Sequence, residues 1–161
     1  DEMFITKGQL LQDIMVSLGG RIAEEIIFGD ITTGASSDIK KATSAARDMV
    51  TRYGMSENIG VINYNSDDDE VFIGRDLAHA KNHSELISGE IDREVKAIID
   101  DCYKKAKDII LAHMDILHHC AELLIVKEKI GREEFEALFD QKENDPESFF
   151  KNHEIGESAQ K

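Results

Sequence analysis

Lys7 to Phe28 reads KGQLLQDIMVSLGGRIAEEIIF. Within it Leu11, Ile14, Met15, Leu18, Ile22 and Ile26 recur at spacings of three and four, the period that lines side chains along one face of an α-helix. The stretch predicts a long helix. Gly19 and Gly20 sit inside the pattern although each costs about 1 kcal/mol relative to alanine in a helix, so another helix is expected to approach the backbone closely there.

The same period continues outward. Gly29 to Ser37 is a connection of glycine, serine and threonine, from which Ser36 or Ser37 is placed to cap a second helix running to about Arg52, with Ile39, Ala42, Ala46, Met49 and Val50 on its buried face. Gly54 and Gly60 bracket a turn. Val61 to Tyr64 and Val71 to Ile73 read as two short strands around the polar run 65–70, predicting a small β-hairpin. Ser84 caps a third helix striped by Ile87, Ile91, Val95, Ile98, Cys102, Ala106, Ile109 and Ile110. Asp115 starts a fourth with Ile116, Leu117, Ala121 and Leu124. Gly131 breaks the chain before a short fifth with Phe135 and Leu138, and the last two pack as a C-terminal helical hairpin on the third. Beyond residue 140 the chain turns polar, so 141–161 reads as a disordered tail.

Composition agrees with a mainly α protein. The 161 residues include 41% hydrophobic residues, enough for one core, with one proline (Pro146), 11 glycines and 6% aromatic residues. A formal net charge of −14, with no cluster of Lys and Arg, excludes a nucleic-acid module, since phosphate binding needs a basic face. Cys102 and Cys120 belong to no paired metal motif and read as reduced core residues. No apolar run reaches the roughly 18 residues of a membrane span, and no signal peptide is evident, so the piece as given reads as soluble; its abrupt start at Asp1-Glu2-Met3-Phe4 suggests part of something longer.

Several residues carry potential chemistry. His79 and His83 are four apart, as zinc-binding histidines on a helix are, but Ala80 stands where a general-base glutamate would be needed. His113, His118, His119 and Cys120 are good donors, yet adjacent helical positions point about a hundred degrees apart and do not converge. His153 stands alone in the tail. Glu24 and Glu25 lie near a helix C-terminus, where the macrodipole disfavours acids; solvated surface is the simpler reading. Asp38 opens a helix, where a carboxylate is electrostatically welcome without any function.

The run Leu18-Gly19-Gly20-Arg21-Ile22-Ala23-Glu24-Glu25-Ile26-Ile27-Phe28-Gly29, then Thr33-Gly34-Ala35-Ser36-Ser37-Asp38-Ile39 and Ala42-Thr43, resembles the FtsH family of AAA+ zinc proteases. The likeness continues through Met49 to Ser56, Val71 to Arg75, Ile91 to Val95 and Tyr103 to Ala106, covering roughly residues 8 to 140. It implies that 1–140 is the C-terminal part of a zinc-peptidase domain within an ATP-dependent metalloendopeptidase that degrades unfolded and membrane proteins. It also implies a separate ATPase domain using ATP and Mg, a homo-hexamer, and a membrane anchor N-terminal to this stretch, with the protease at the cytoplasmic face of the cell membrane.

By the same resemblance Asp38 is the third zinc ligand, Glu24 or Glu25 orients a ligand or nearby backbone without touching metal, and Val71, Phe72 and Ile73 form a strand that pairs with substrate. The other two ligands and the base belong to a His-Glu-x-x-His motif, which this sequence does not contain and which the family carries earlier in the chain. The piece alone is therefore expected neither to hold zinc nor to cut peptides. The alternative is a non-catalytic helical scaffold or adaptor, a pseudo-protease; a His-Glu-x-x-His roughly fifty residues or more before Asp38 separates the two.

Overall fold

The computed structural model describes residues 4–65 and 83–147. Among these, five α-helices follow in order: α1 (Lys7–Phe28), α2 (Ser36–Thr51), α3 (Glu85–Ala112), α4 (Met114–Lys127) and α5 (Arg132–Asn144). The chain divides into two compact units, Asp1–Lys107 and Asp108–Lys161.

In the first unit, Thr6 caps α1 by accepting a hydrogen bond from the Gln9 amide at 3.2 Å. Ile14, Leu18 and Ile22, spaced four apart, are its buried positions. Gly29 ends it in the left-handed conformation (φ 62°), its N–H donating to the Glu25 carbonyl, as C-terminal glycines do. The close approach expected at Gly19 and Gly20 is not supplied by the described residues: a Cβ at either position would meet nothing within 4 Å.

The connection out of α1 is more ordered than a loop. Thr32 accepts from the Gly34 amide at 3.2 Å, opening a single 3-10 turn, Thr33–Ala35, that runs directly into α2. Ser36 and Ser37, expected as caps, are instead the first helical residues of α2, because the preceding turn already engages the Ser36 amide through Thr33. α2 packs along α1 and buries Ala42, Ala46, Met49 and Val50.

After α2 the chain turns at Gly54 (φ 61°) and Gly60 (φ 80°), with the Gly60 amide bonded to the Ser56 carbonyl at 2.8 Å. No strand occurs among the described residues, and Val61–Tyr64 is irregular. Only its Tyr64 amide returns to the Thr51 carbonyl, at 2.7 Å, while Val61 and Ile62 stand exposed. Among the described residues this β-rich, apolar run, pinned at one end to a helix C-terminus, has no ladder to join. The expected second strand, Val71–Ile73, and residues 148–161 of the expected tail 141–161 lie outside the described residues, whereas 141–144, at the start of that tail, belong to α5.

Ser84 caps α3 as expected, accepting from the Ile87 amide at 3.3 Å. Ile91, Val95, Cys102 and Ala106 are its buried positions. Within the first unit α3 meets α1 where Cys102 Sγ approaches the Leu11 carbonyl at 3.8 Å, and α2 where Arg47 pairs with Asp92 at 3.2 Å. Burial raises the Cys102 thiol pKa above its ordinary value, consistent with a reduced core cysteine.

In the second unit α4 and α5 pack on each other as the expected hairpin. Ile116 and Leu138 form its buried centre with Cys120, Leu123 and Phe139 around them. α4 stops at Glu128, which itself takes the left-handed conformation (φ 61°), and Gly131 is the extended residue that opens α5. Lys142 of α5 reaches Asp115 of α4 at 2.7 Å.

Candidate functional site

Asp38 lies in the first turn of α2, half-buried, directly after the 3-10 turn. Buried Ala35 anchors that turn, and the dipole at the head of α2 favours a negative charge there. Its neighbour Ile39 lines a groove of about 530 Å³ in the first unit. Arg21 and Glu25 of α1, Ile31 of the connection and Ile99 and Tyr103 of α3 form its other main walls.

Glu24 and Glu25 are both half-buried, but successive helical positions diverge and the two face different surroundings. The Glu25 carboxylate accepts a hydrogen bond from the Tyr103 hydroxyl and lies 4.0 Å from Lys107 Nζ. That bond to a carboxylate, then burial and the Glu25 charge, raise the Tyr103 phenol pKa above its ordinary value. One turn earlier, the Arg21 Nε is buried with no hydrogen-bond partner.

Among the described residues the histidines form no metal centre. His79 and His153 lie outside the described residues, while His83 sets its ring edge-on to Tyr64, centroids 5.3 Å apart. His113 packs edge-on to Phe139 at 5.4 Å, and His118 and His119 are half-buried in α4. Among the described residues no group of three His, Cys, Asp or Glu side chains is placed to hold a metal ion. Asp38 thus offers one donor where a zinc site takes about three from the protein, and the described residues do not by themselves fit the ion.

Sequence reading brought out Asp38 and Glu25 but assigned nothing to Tyr103 or Lys107. Tyr103 stood inside a family-like run, yet its partner is 78 positions away. No helical period links the two.

Comparison with known proteins places these residues in context. The family model for peptidase family M41 matches residues 1–138. Proteins named ATP-dependent zinc metalloprotease FtsH are similar to the chain: one from Caldicellulosiruptor bescii is 49% identical over 138 residues, covering 86% of this chain and 22% of that protein. One from Ruminiclostridium cellulolyticum is 48% identical over 140 residues, 87% of this chain and 23% of that protein. The Thermotoga maritima protein is 40% identical over 138 residues, again 86% and 23%. The chain therefore spans less than a quarter of the length of these curated relatives. With a family model matched across most of its residues, the chain belongs to peptidase family M41.

Proposed function

We propose that this chain is the C-terminal part of the peptidase domain of an ATP-dependent zinc metalloendopeptidase, in which Asp38 is the third zinc ligand. The observation that carries the reading is the match over residues 1–138 to the M41 family, within which the 3-10 turn Thr33–Ala35 runs into α2 and leaves the half-buried Asp38 carboxylate in that helix's first turn. The described residues contribute a ligand position rather than a chemical step. Two histidines and a general base from a His-Glu-x-x-His helix earlier in the polypeptide complete the centre, and the chain on its own neither retains zinc nor cleaves peptides.

The relatives' names carry ATP dependence and zinc. The remaining features rest on the family resemblance: an ATPase domain using ATP and Mg, a hexameric ring, a membrane anchor with the peptidase on the cytoplasmic face, and unfolded or membrane proteins as substrates. Among the described residues no single helix is long and apolar enough to cross a membrane. The test is zinc content and casein cleavage of the intact protease beside its Asp38→Ala variant. About one zinc per chain in the parent, with metal and activity both lost in the variant, supports the assignment. Full zinc retention in Asp38→Ala would remove Asp38 from the site, and a zinc-free parent would leave the scaffold alternative.

A further inference from the structure

Glu25 does two things at once. Its backbone carbonyl accepts the Gly29 N–H at 3.0 Å and so closes the last turn of α1 onto the left-handed residue that sends the chain toward Asp38. Its side chain is held from outside α1, by the Tyr103 hydroxyl of α3. The groove beside this bond has Ile99 and Tyr103 on its α3 side and Ile31 and Ile39, which precede and follow Asp38 in the chain, on the other. We propose that Tyr103 is a positioning residue: by gripping Glu25 it fixes the end of α1, and through Gly29 the course of the connection that presents Asp38. The proposal rests on the reading of Asp38 as a zinc ligand.

The hydrogen bond carries the grip. Lys107 is 4.0 Å from Glu25 with both side chains well exposed, 38% and 42%, and such solvent-screened pairs contribute little. The Tyr103 O–H donates to a carboxylate, a charge-assisted bond about twice as strong as a neutral one. Tyr103→Phe keeps the ring against the groove and removes only the donor.

Two measurements test the proposal. In the 161-residue chain, Tyr103→Phe is expected to speed amide hydrogen exchange of residues 29–38 by about tenfold, the scale of one lost hydrogen bond to a charged group, with α2 beyond its first turn unchanged. Unchanged exchange over 29–38, or an equal acceleration throughout α1, α2 and α3, overturns the proposal in favour of no role or a merely structural one. In the intact protease, Tyr103→Phe is expected to raise the zinc dissociation constant by about tenfold or more, the usual effect of removing a group that orients a ligand. If the parent binds zinc through Asp38 and Tyr103→Phe leaves that affinity intact, the positioning role fails and the ligand assignment survives. If zinc binding in the parent does not depend on Asp38, the ligand assignment fails, and with it the positioning role that rests on it.

Discussion

Gly54 and Gly19 differ in their surroundings, which set opposite signs on the same substitution. At Gly54 φ is 61°, and an added Cβ would stand 3.0 Å from Val61 Cα, a backbone atom that cannot swing aside. Gly54→Ala is therefore expected to destabilise the chain by about 1–3 kcal/mol. Gly19 lies inside α1 with open space around its missing Cβ, so Gly19→Ala is expected to stabilise by about 0.5–1 kcal/mol through lower unfolded-chain entropy. Urea midpoints of the two variants beside the parent check the pair, and a Gly19→Ala chain weaker than the parent contradicts the open surroundings. Residues differ in how far sequence alone reveals them. Asp38 was visible as a candidate only through the resemblance of the run Thr33 to Ile39 to the FtsH family, since its place at a helix start needs no function to explain it. Tyr103 was not, since its role exists only once α3 lies beside the end of α1 and brings its hydroxyl to Glu25. The glycine pair in α1 misled for a related reason: a glycine in a helix implies a close neighbour, but not which chain segment supplies it.

The elements join through a few polar staples, of which Glu94 is the one that fastens the turn after α2 to α3. Its carboxylate accepts from Asn58 at 2.7 Å and from buried Ser56 at 2.8 Å, and these bonds, in that order, hold its pKa below the usual 4.5. The folded-state pKa being the lower one, this contribution to stability is fully present above the unfolded value and is lost as pH falls through the folded value. Glu94→Gln is accordingly expected to flatten the loss of stability on acidification below about pH 4.5, measured as urea midpoint against pH. Ser56→Ala should cost about 1 kcal/mol at neutral pH, because half-buried Glu94 can recruit water in place of the lost hydroxyl. An unaltered acid limb in Glu94→Gln removes the staple. At this scale the helices were legible almost to the residue, since a stripe of three-and-four spacing bounded by Gly29 or Ser84 states both period and end. The hairpin was not. Val61 to Tyr64 has strand-forming side chains, but strands are made by partners, and the Tyr64 amide is taken by Thr51 at the end of α2.

Across the whole molecule the contacts fall into two units with unequal interiors. The first buries apolar positions along α1, α2 and α3, whereas among the described residues the second centres on two buried side chains, Ile116 and Leu138. A unit with so small a core has only a few kcal/mol in hand, and its charged staple between Lys142 and Asp115, 29% and 16% exposed, adds modestly. Truncating Leu138, 2% exposed, to alanine removes its transfer free energy and leaves a cavity, a loss of about 2–5 kcal/mol. That is comparable to everything the second unit has. Leu138→Ala is therefore expected to unfold α4 and α5 at 25 °C while leaving α1 and α2 folded, so that amide protection vanishes over residues 114–144 and persists over 14–22 and 42–50. Thermal unfolding of the parent should correspondingly depart from a single two-state transition. Protection lost from both regions together, in step with one sharp transition, would mean that the two units fold as one and that the small core draws its stability from the larger.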